Sequence, residues 1–113
     1  MVSHNYFKLG LFLLFYITCT LTINYLFTDQ HERAHAQISY LHGCENISIE
    51  ISFLGLKGST MCVDKNLSYH YPAQRIYLDS MNEIIGYNVA VLIFAVLASA
   101  FIVGMAILLN GDS

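Results

Sequence analysis

Five consecutive residues in the first third of the chain match the motif His-Glu-x-x-His. They are His31, Glu32, Arg33, Ala34 and His35. On an α-helix, side chains four positions apart lie one turn apart on the same face, so both imidazoles can reach one tetrahedral Zn²⁺. Glu32 then lies beside the metal, where its carboxylate can take a proton from bound water. Zinc lowers the pKa of that water to about 7, which makes it a usable nucleophile.

The motif is short, and about one such chain in a hundred would contain it by chance. The same residues would also suit a charged, solvated helical face. The sequence alone leaves that interpretation open.

A zinc site needs at least one more protein ligand. Glu83 is the best candidate, because carboxylates suit Zn²⁺ and because an unpaired charge beside a long apolar run is costly. Asp79 precedes it by one helical turn and could support a histidine by hydrogen bonding. His42 and His70 are alternative ligands, although His42 would lie about 10 Å along a helix from His35. A site of three histidines would also suit copper, which we expect less than zinc.

Two long runs of uncharged residues flank these candidate ligands and must position them. Residues 9–28 and 84–111 contain no Asp, Glu, Lys or Arg, and each exceeds the roughly 20 residues that a helix needs to cross a bilayer. The chain has 113 residues, of which 56% are hydrophobic. We therefore predict a mainly α membrane protein with transmembrane helices at 7–28 and 84–109, joined by a loop domain at 29–83. A cleaved signal peptide is the alternative for the first run, which is long for that role.

The loop domain is expected to fold as a helix, a β-hairpin and a second helix. Asp29 stands three residues before the glutamate of the motif, a capping-box spacing that predicts a helix start, and Gly43 predicts the helix end. Whether this helix continues from the first span is left open. Apolar and polar residues alternate over 46–54, which predicts a strand, and 59–63 could return as its partner after a glycine turn. Pro72 suits the first turn of a helix that runs on into the second span.

Cysteines and glycosylation-type sequons indicate on which side of the membrane the loop lies. Cys44 and Cys62 bracket the hairpin and are predicted to form a disulfide worth about 3 kcal/mol; a reduced, metal-binding pair is the alternative. Asn46 and Asn66 each begin an Asn-x-Ser sequon. These features predict an extracytoplasmic or lumenal loop with both termini in the cytoplasm. Cys19, within the first span, is expected only to pack.

The motif and its surroundings resemble zinc metallopeptidases of the gluzincin class. In that class the HExxH helix supplies two histidines and the base, and a glutamate on a later helix, often preceded by Asn, is the third ligand. Asn82 and Glu83 stand in that place here. The helix, glycine and following strand also look like membrane-embedded site-2-type peptidases. Those enzymes differ in placing the motif inside a span and in using a downstream Asp within a longer bundle.

The resemblance implies roles for particular residues. His31, His35 and Glu83 would bind zinc, and Glu32 would be the base. The edge of the strand over 46–54 could hold an extended peptide by backbone hydrogen bonds.

Two functions from different classes remain open. The first is a membrane-anchored zinc protein that hydrolyses peptides. The second is a non-catalytic subunit of a larger membrane complex, whose second span carries small residues, such as Ala90, Ala98 and Gly104, that let other membrane helices approach closely. A net charge of −3 without a basic stripe argues against a nucleic-acid partner.

Overall fold

The computed structural model describes residues 2–65 and 68–111, with side chains from residue 4 onward. The structure consists of two long helices and, between them in the chain, a two-stranded antiparallel sheet. The order is α1 (Val2–Leu41), β1 (Ile47–Ile51), β2 (Gly58–Cys62) and α2 (Pro72–Asn110). The described chain measures 68 × 23 × 13 Å, an elongated pair of helices with the hairpin at one end. The predicted mostly helical chain with a small hairpin between two long apolar helices is confirmed.

Helix α1 runs unbroken from the first apolar run through the HExxH motif. Of the two possibilities that the sequence left open, the structure shows the continuous helix, and no new helix starts at Asp29. Its carboxylate accepts a hydrogen bond from Arg33 Nε at 2.8 Å, one turn later in the same helix, instead of capping a new one. The predicted end is confirmed, because Gly43 has a φ of 104° directly after the helix, a conformation that glycine adopts without strain.

The β-hairpin presents one face to α1. Its register runs from Ile47 opposite Cys62 to Ile51 opposite Gly58. The Thr60 side chain belongs to this face and contacts α1, so the isoleucines of β1 lie on the same, inner face. Both strands are close to their predicted positions, but β1 is shorter because the chain begins to turn after Ile51.

A disulfide between Cys44 and Cys62 fastens β2 to the segment that follows α1. This pairing confirms the prediction and removes both sulfurs as free thiolate ligands. Asp64 lies beside the disulfide, but the three residues do not form a metal site while the thiols are oxidised.

Helix α2 begins at Pro72, as predicted, and continues without a break to Asn110. It packs antiparallel to α1 through aromatic side chains. The rings of Tyr16 and Phe101 are 5.0 Å apart, and the Tyr16 hydroxyl donates to the carbonyl of Leu97 at 2.7 Å. A Cβ at Gly104 would lie 2.5 Å from the ring of Phe12, so this small residue serves a contact within the chain.

Both helices are long and apolar enough to cross a membrane. In the most apolar stretch of each, none of the described residues is buried inside the protein. Large side chains such as Phe15 and Phe94 face outward. The apolar surface of the two helices is therefore directed at the surroundings of the protein and not at a core.

Candidate metal centre

The antiparallel helices bring together three residues that the sequence suggested as ligands. One potential ligand atom each from His31, His35 and Glu83 lies within 4.8 Å of the other two. Glu83 Oε1 is 2.7 Å from His35 Nε2 and 3.4 Å from His31 Nε2. The two imidazoles meet edge to face, with ring centres 4.9 Å apart. Because the two helices are antiparallel, the end of the motif and the start of the second apolar run lie at the same level along their axes.

Asp79 holds the far side of the His35 ring. Its Oδ1 lies 2.8 Å from His35 Nδ1. A histidine that donates from Nδ1 to a carboxylate presents the lone pair of Nε2 to a metal ion. The carboxylate of Asp79 is itself 3.8 Å from Arg75 Nε, and the Arg75 guanidinium lies 3.8 Å above the ring of Tyr69. The α2 helix thus supplies both a candidate ligand and the group that orients another.

His31 is positioned by direct contact with the backbone of α2. A Cβ at Gly86 would lie 2.7 Å from two atoms of the His31 ring, so only glycine leaves room for the imidazole. The Asn82 side chain donates to the His31 carbonyl at 3.4 Å, and Phe27 stacks on the ring with 6.2 Å between centres. Gly86 was not among the predicted site residues, although an isolated glycine inside an apolar helix was the available signal.

Glu32 faces the hairpin. It is 7% exposed, and the Thr60 hydroxyl lies 2.6 Å from its Oε2 and 3.0 Å from its carbonyl oxygen. Gly58 closes over the side chain, because a Cβ there would lie 2.7 Å from Glu32 Cγ. Glu32 does not belong to the three-residue cluster, but it lines the same cleft as His35 and Glu83. The roles of Gly58 and Thr60 had no signal in the sequence.

Burial and hydrogen bonding shift the pKa values of His35 and Glu83 in opposite directions. Burial lowers the pKa of His35, but the hydrogen bonds to Asp79 and Glu83 outweigh it, so this pKa is raised above its ordinary value. Burial raises the pKa of Glu83, but His35 and His31 together leave it lowered. In the absence of a metal, the cluster therefore favours a charged imidazolium–carboxylate pair at mildly acidic pH.

A cleft of about 500 Å³ opens beside the cluster. Its walls come from three elements: α1 (Glu32, His35, Ser39), β2 (Gly58, Ser59, Thr60) and α2 (Arg75, Ile76, Asp79, Ser80, Glu83). The strand that borders the cleft is thus β2, whereas peptide binding was predicted at the edge of the strand over 46–54, which is β1.

The free edge of β2 faces this cleft. Val63 N donates to Asn46 O, and Ser52 N donates to Lys57 O. Because hydrogen-bonded and non-hydrogen-bonded pairs alternate in an antiparallel ladder, the odd-numbered residues of β2 bond to β1. The backbone N–H and C=O groups of Gly58 and Thr60 therefore point away from β1.

The alternative histidine ligands lie elsewhere. His42 is buried, and its Nδ1 donates to the carbonyl of Ile38 at 2.7 Å. His70 is exposed in the segment before α2, where its backbone N–H donates to His42 O. Neither joins the cluster of His31, His35 and Glu83.

The two predicted glycosylation positions have different outcomes. The side-chain nitrogen of Asn46, the atom that would carry a glycan, donates to Asp64 Oδ1 at 2.6 Å. This contact also holds the start of β1 to the end of β2. Asn66 lies outside the described residues.

In comparisons with known proteins, no family model, curated protein or solved structure matches this chain. A function can therefore be inferred only from the chemistry and geometry of the chain itself.

Proposed function

We propose that this chain is an integral membrane protein that binds one zinc ion where α1 and α2 emerge from the bilayer, with His31, His35 and Glu83 as ligands. The convergence of these three side chains carries the proposal. Ligand atoms about 2.0–2.1 Å from a tetrahedral ion lie roughly 3.3 Å apart. The distances of 2.7 and 3.4 Å from Glu83 Oε1 to the two imidazoles bracket that value, so small side-chain rotations would suffice to admit the ion.

The surroundings of the cluster favour a metal site over a solvated helical face. The side chains of His31 and His35 are each only 17% exposed. Two imidazoles and one carboxylate are also the donors of catalytic zinc sites, which leave a fourth position open. Asp79 orients His35 as the carboxylate partners of zinc-bound histidines commonly do.

The membrane location has support from both apolar helices and from the cysteines. Each helix can span the hydrocarbon core, and the uncharged runs end close to the cluster. The Cys44–Cys62 disulfide favours an oxidising compartment for the hairpin. We place the loop on the extracytoplasmic or lumenal side and both termini in the cytoplasm.

The reaction that suits this site best is peptide hydrolysis. A bound zinc would supply a Lewis acid and lower the pKa of a water molecule. Glu32 lines the same cleft and would accept the proton of the attacking water, while the Thr60 hydroxyl holds its carboxylate in place. The free edge of β2 offers the N–H and C=O groups of Gly58 and Thr60 to the backbone of an extended peptide.

The accessory-subunit alternative gains less from the structure. Two of the small residues in α2 contact α1 of the same chain, because Gly86 accommodates His31 and Gly104 accommodates Phe12. The exposed apolar faces of the helices are explained by lipid without a protein partner.

Hydrolysis can be tested with zinc-loaded protein in detergent and a library of quenched fluorescent peptides. We expect cleavage by the wild type, and loss of turnover with retention of zinc in Glu32→Gln. Glu50→Gln, on the exposed face of β1, is the matched control and should cleave like the wild type. Equal cleavage by wild type and Glu32→Gln, or no cleavage by zinc-loaded wild type, would contradict the proposed reaction.

A further inference from the structure

The turn between β1 and β2 folds back along α1, away from the metal cluster. Gly55, with a φ of 67°, approaches α1 so closely that a Cβ there would lie 2.5 Å from the Cα of Tyr25. Tyr25 precedes His31 by six residues, which is about 9 Å along a helix axis. The turn therefore lies beside residues 9–28, the uncharged run of α1.

Two polar side chains in this apolar part of α1 bind the backbone of the turn. Asn24 Nδ2 donates to Gly55 O at 2.9 Å and to Leu54 O at 3.3 Å. The Thr28 hydroxyl donates to Gly55 O at 2.7 Å. Without such partners, these carbonyls could not lie in hydrocarbon, where no water satisfies them.

Three further hydrogen bonds form within the turn. Ser52 N donates to Lys57 O at 2.9 Å, and Gly55 N donates to Ser52 O at the same distance. Lys57 N donates to the Ser52 hydroxyl at 3.1 Å. The backbone groups that are paired in this way need no water.

The side chains of the turn are apolar and point outward. Phe53 is 95% exposed, Leu56 74% and Leu54 41%. Contiguous apolar surface of this kind is unfavourable in water and marks a contact with another apolar phase. Grooves beside the turn join it to exposed apolar residues of both helices, Leu26 of α1 on one side and Phe94 of α2 on the other.

We propose that the hairpin tip, residues 53–56, inserts into the acyl chains of the leaflet on the loop side. Lipid is the occupant that the observations favour, since the tip continues the apolar surface of two proposed spans and the carbonyls of Leu54 and Gly55 are already paired. Lys57 follows the tip and is exposed, so its ammonium can reach the headgroups. This inference rests on the proposed membrane location but is independent of zinc.

Insertion of the tip would fix the β2 wall of the cleft relative to the bilayer. Gly58 follows directly after Lys57 and covers Glu32. The cleft would then open just above the membrane surface, at the level of the metal cluster.

The chain contains no tryptophan, which allows a test with single-tryptophan variants of the full chain. Phe53→Trp and Leu56→Trp report on the tip, Phe15→Trp on the middle of α1, and Tyr40→Trp on the exposed end of α1 beyond the cluster. Each is reconstituted in vesicles whose phosphatidylcholine carries bromine at defined acyl positions. Quenching by bromine requires close contact of the indole with the labelled depth.

We expect blue-shifted emission and bromine quenching for both tip variants and for Phe15→Trp, but unquenched, red-shifted emission for Tyr40→Trp. Quenching of Phe15→Trp with both tip variants unquenched would overturn tip insertion and leave the proposed spans standing. An unquenched Phe15→Trp would instead overturn the membrane location itself. Formation of the Cys44–Cys62 disulfide in each variant, read from its mobility with and without reductant, verifies the hairpin.

Discussion

His35 Nδ1 lies 2.8 Å from Asp79 Oδ1, across the contact between α1 and α2. The opposite nitrogen of the same ring faces Glu83 at 2.7 Å. One imidazole is thus oriented by a carboxylate on one side and directed at a candidate ligand on the other. Both nitrogens of His35 therefore have carboxylate partners on α2.

Loss of the orienting carboxylate should weaken zinc binding without abolishing it. We expect Asp79→Ala to reduce zinc affinity about 10- to 100-fold, the usual cost of removing the partner of a ligating histidine. Competition with a chromogenic chelator measures the affinity. Ser80→Ala, which alters the neighbouring exposed hydroxyl, is the control and should bind like the wild type. Unchanged affinity in Asp79→Ala would show that Asp79 does not support the metal.

The metal-free protein should lose stability as the pH rises from 6 to 8. The raised pKa of His35 means that the folded state holds a proton more tightly than the unfolded state. The resulting stabilisation is complete below the unfolded pKa of about 6.5 and is lost as the pH rises through the folded value. Glu83 acts at the acidic end of the pH range. Because its pKa is lowered in the folded state, its contribution to folding stability is lost only as the pH falls through that lowered value.

Zinc should reverse the sign of this dependence, because the ion binds neutral imidazole and competes with the proton. Thermal unfolding midpoints in detergent, with chelator and with zinc, measure both slopes between pH 6 and 8. His35→Gln should lose the slope in chelator. A midpoint in chelator that rises with pH over this range would contradict the assigned His35 contacts.

Gly86, which lies against the His31 ring, should not tolerate a side chain. A methyl group in Gly86→Ala would meet the imidazole at 2.7 Å, and overpacking of this kind costs about 1–3 kcal/mol. We expect a lower unfolding midpoint and weaker zinc binding, since the ring must move. Gly10→Ala has nothing within 4 Å of its added methyl and should change neither quantity. Wild-type zinc affinity in Gly86→Ala would argue against His31 as a ligand.

The Thr60 hydroxyl, which contacts Glu32, should contribute to both folding stability and turnover. Thr60→Val leaves a buried carboxylate without its 2.6 Å partner, at a cost of about 1–3 kcal/mol. We expect a lower unfolding midpoint, slower peptide cleavage and unchanged zinc content. Ser48→Ala, in β1 and outside the cleft lining, is the control. Equal stability of Thr60→Val and wild type would mean that the Glu32–Thr60 contact is not formed.

Local signals in the sequence were sufficient for some features of the fold. Pro72 and Gly43 mark helix ends through their own backbone preferences, and both were placed correctly. Asp29 did not distinguish between two structures. Its position three residues before Glu32 suits a helix cap, and its position four residues before Arg33 suits an ion pair inside a continuous helix. Only tertiary structure decides between the two.

Other features depend on contacts that no local pattern encodes. The sequence suggested His31, His35 and Glu83 as a group, because one loop between two spans returns its ends to the same level. It did not reveal that Gly86 makes room for His31 or that Thr60 holds Glu32. Those roles arise from the way α2 and β2 pack against α1.

The most direct test of the central claim is the zinc content of the protein, measured by mass spectrometry after purification in detergent without chelators. We expect about one zinc per chain in the wild type and in the exposed control His70→Ala, and loss of zinc in His35→Ala and Glu83→Ala. Folding of each variant is verified by circular dichroism and by the intact disulfide. A folded wild type without metal, or zinc retained in both His35→Ala and Glu83→Ala, would contradict the zinc site.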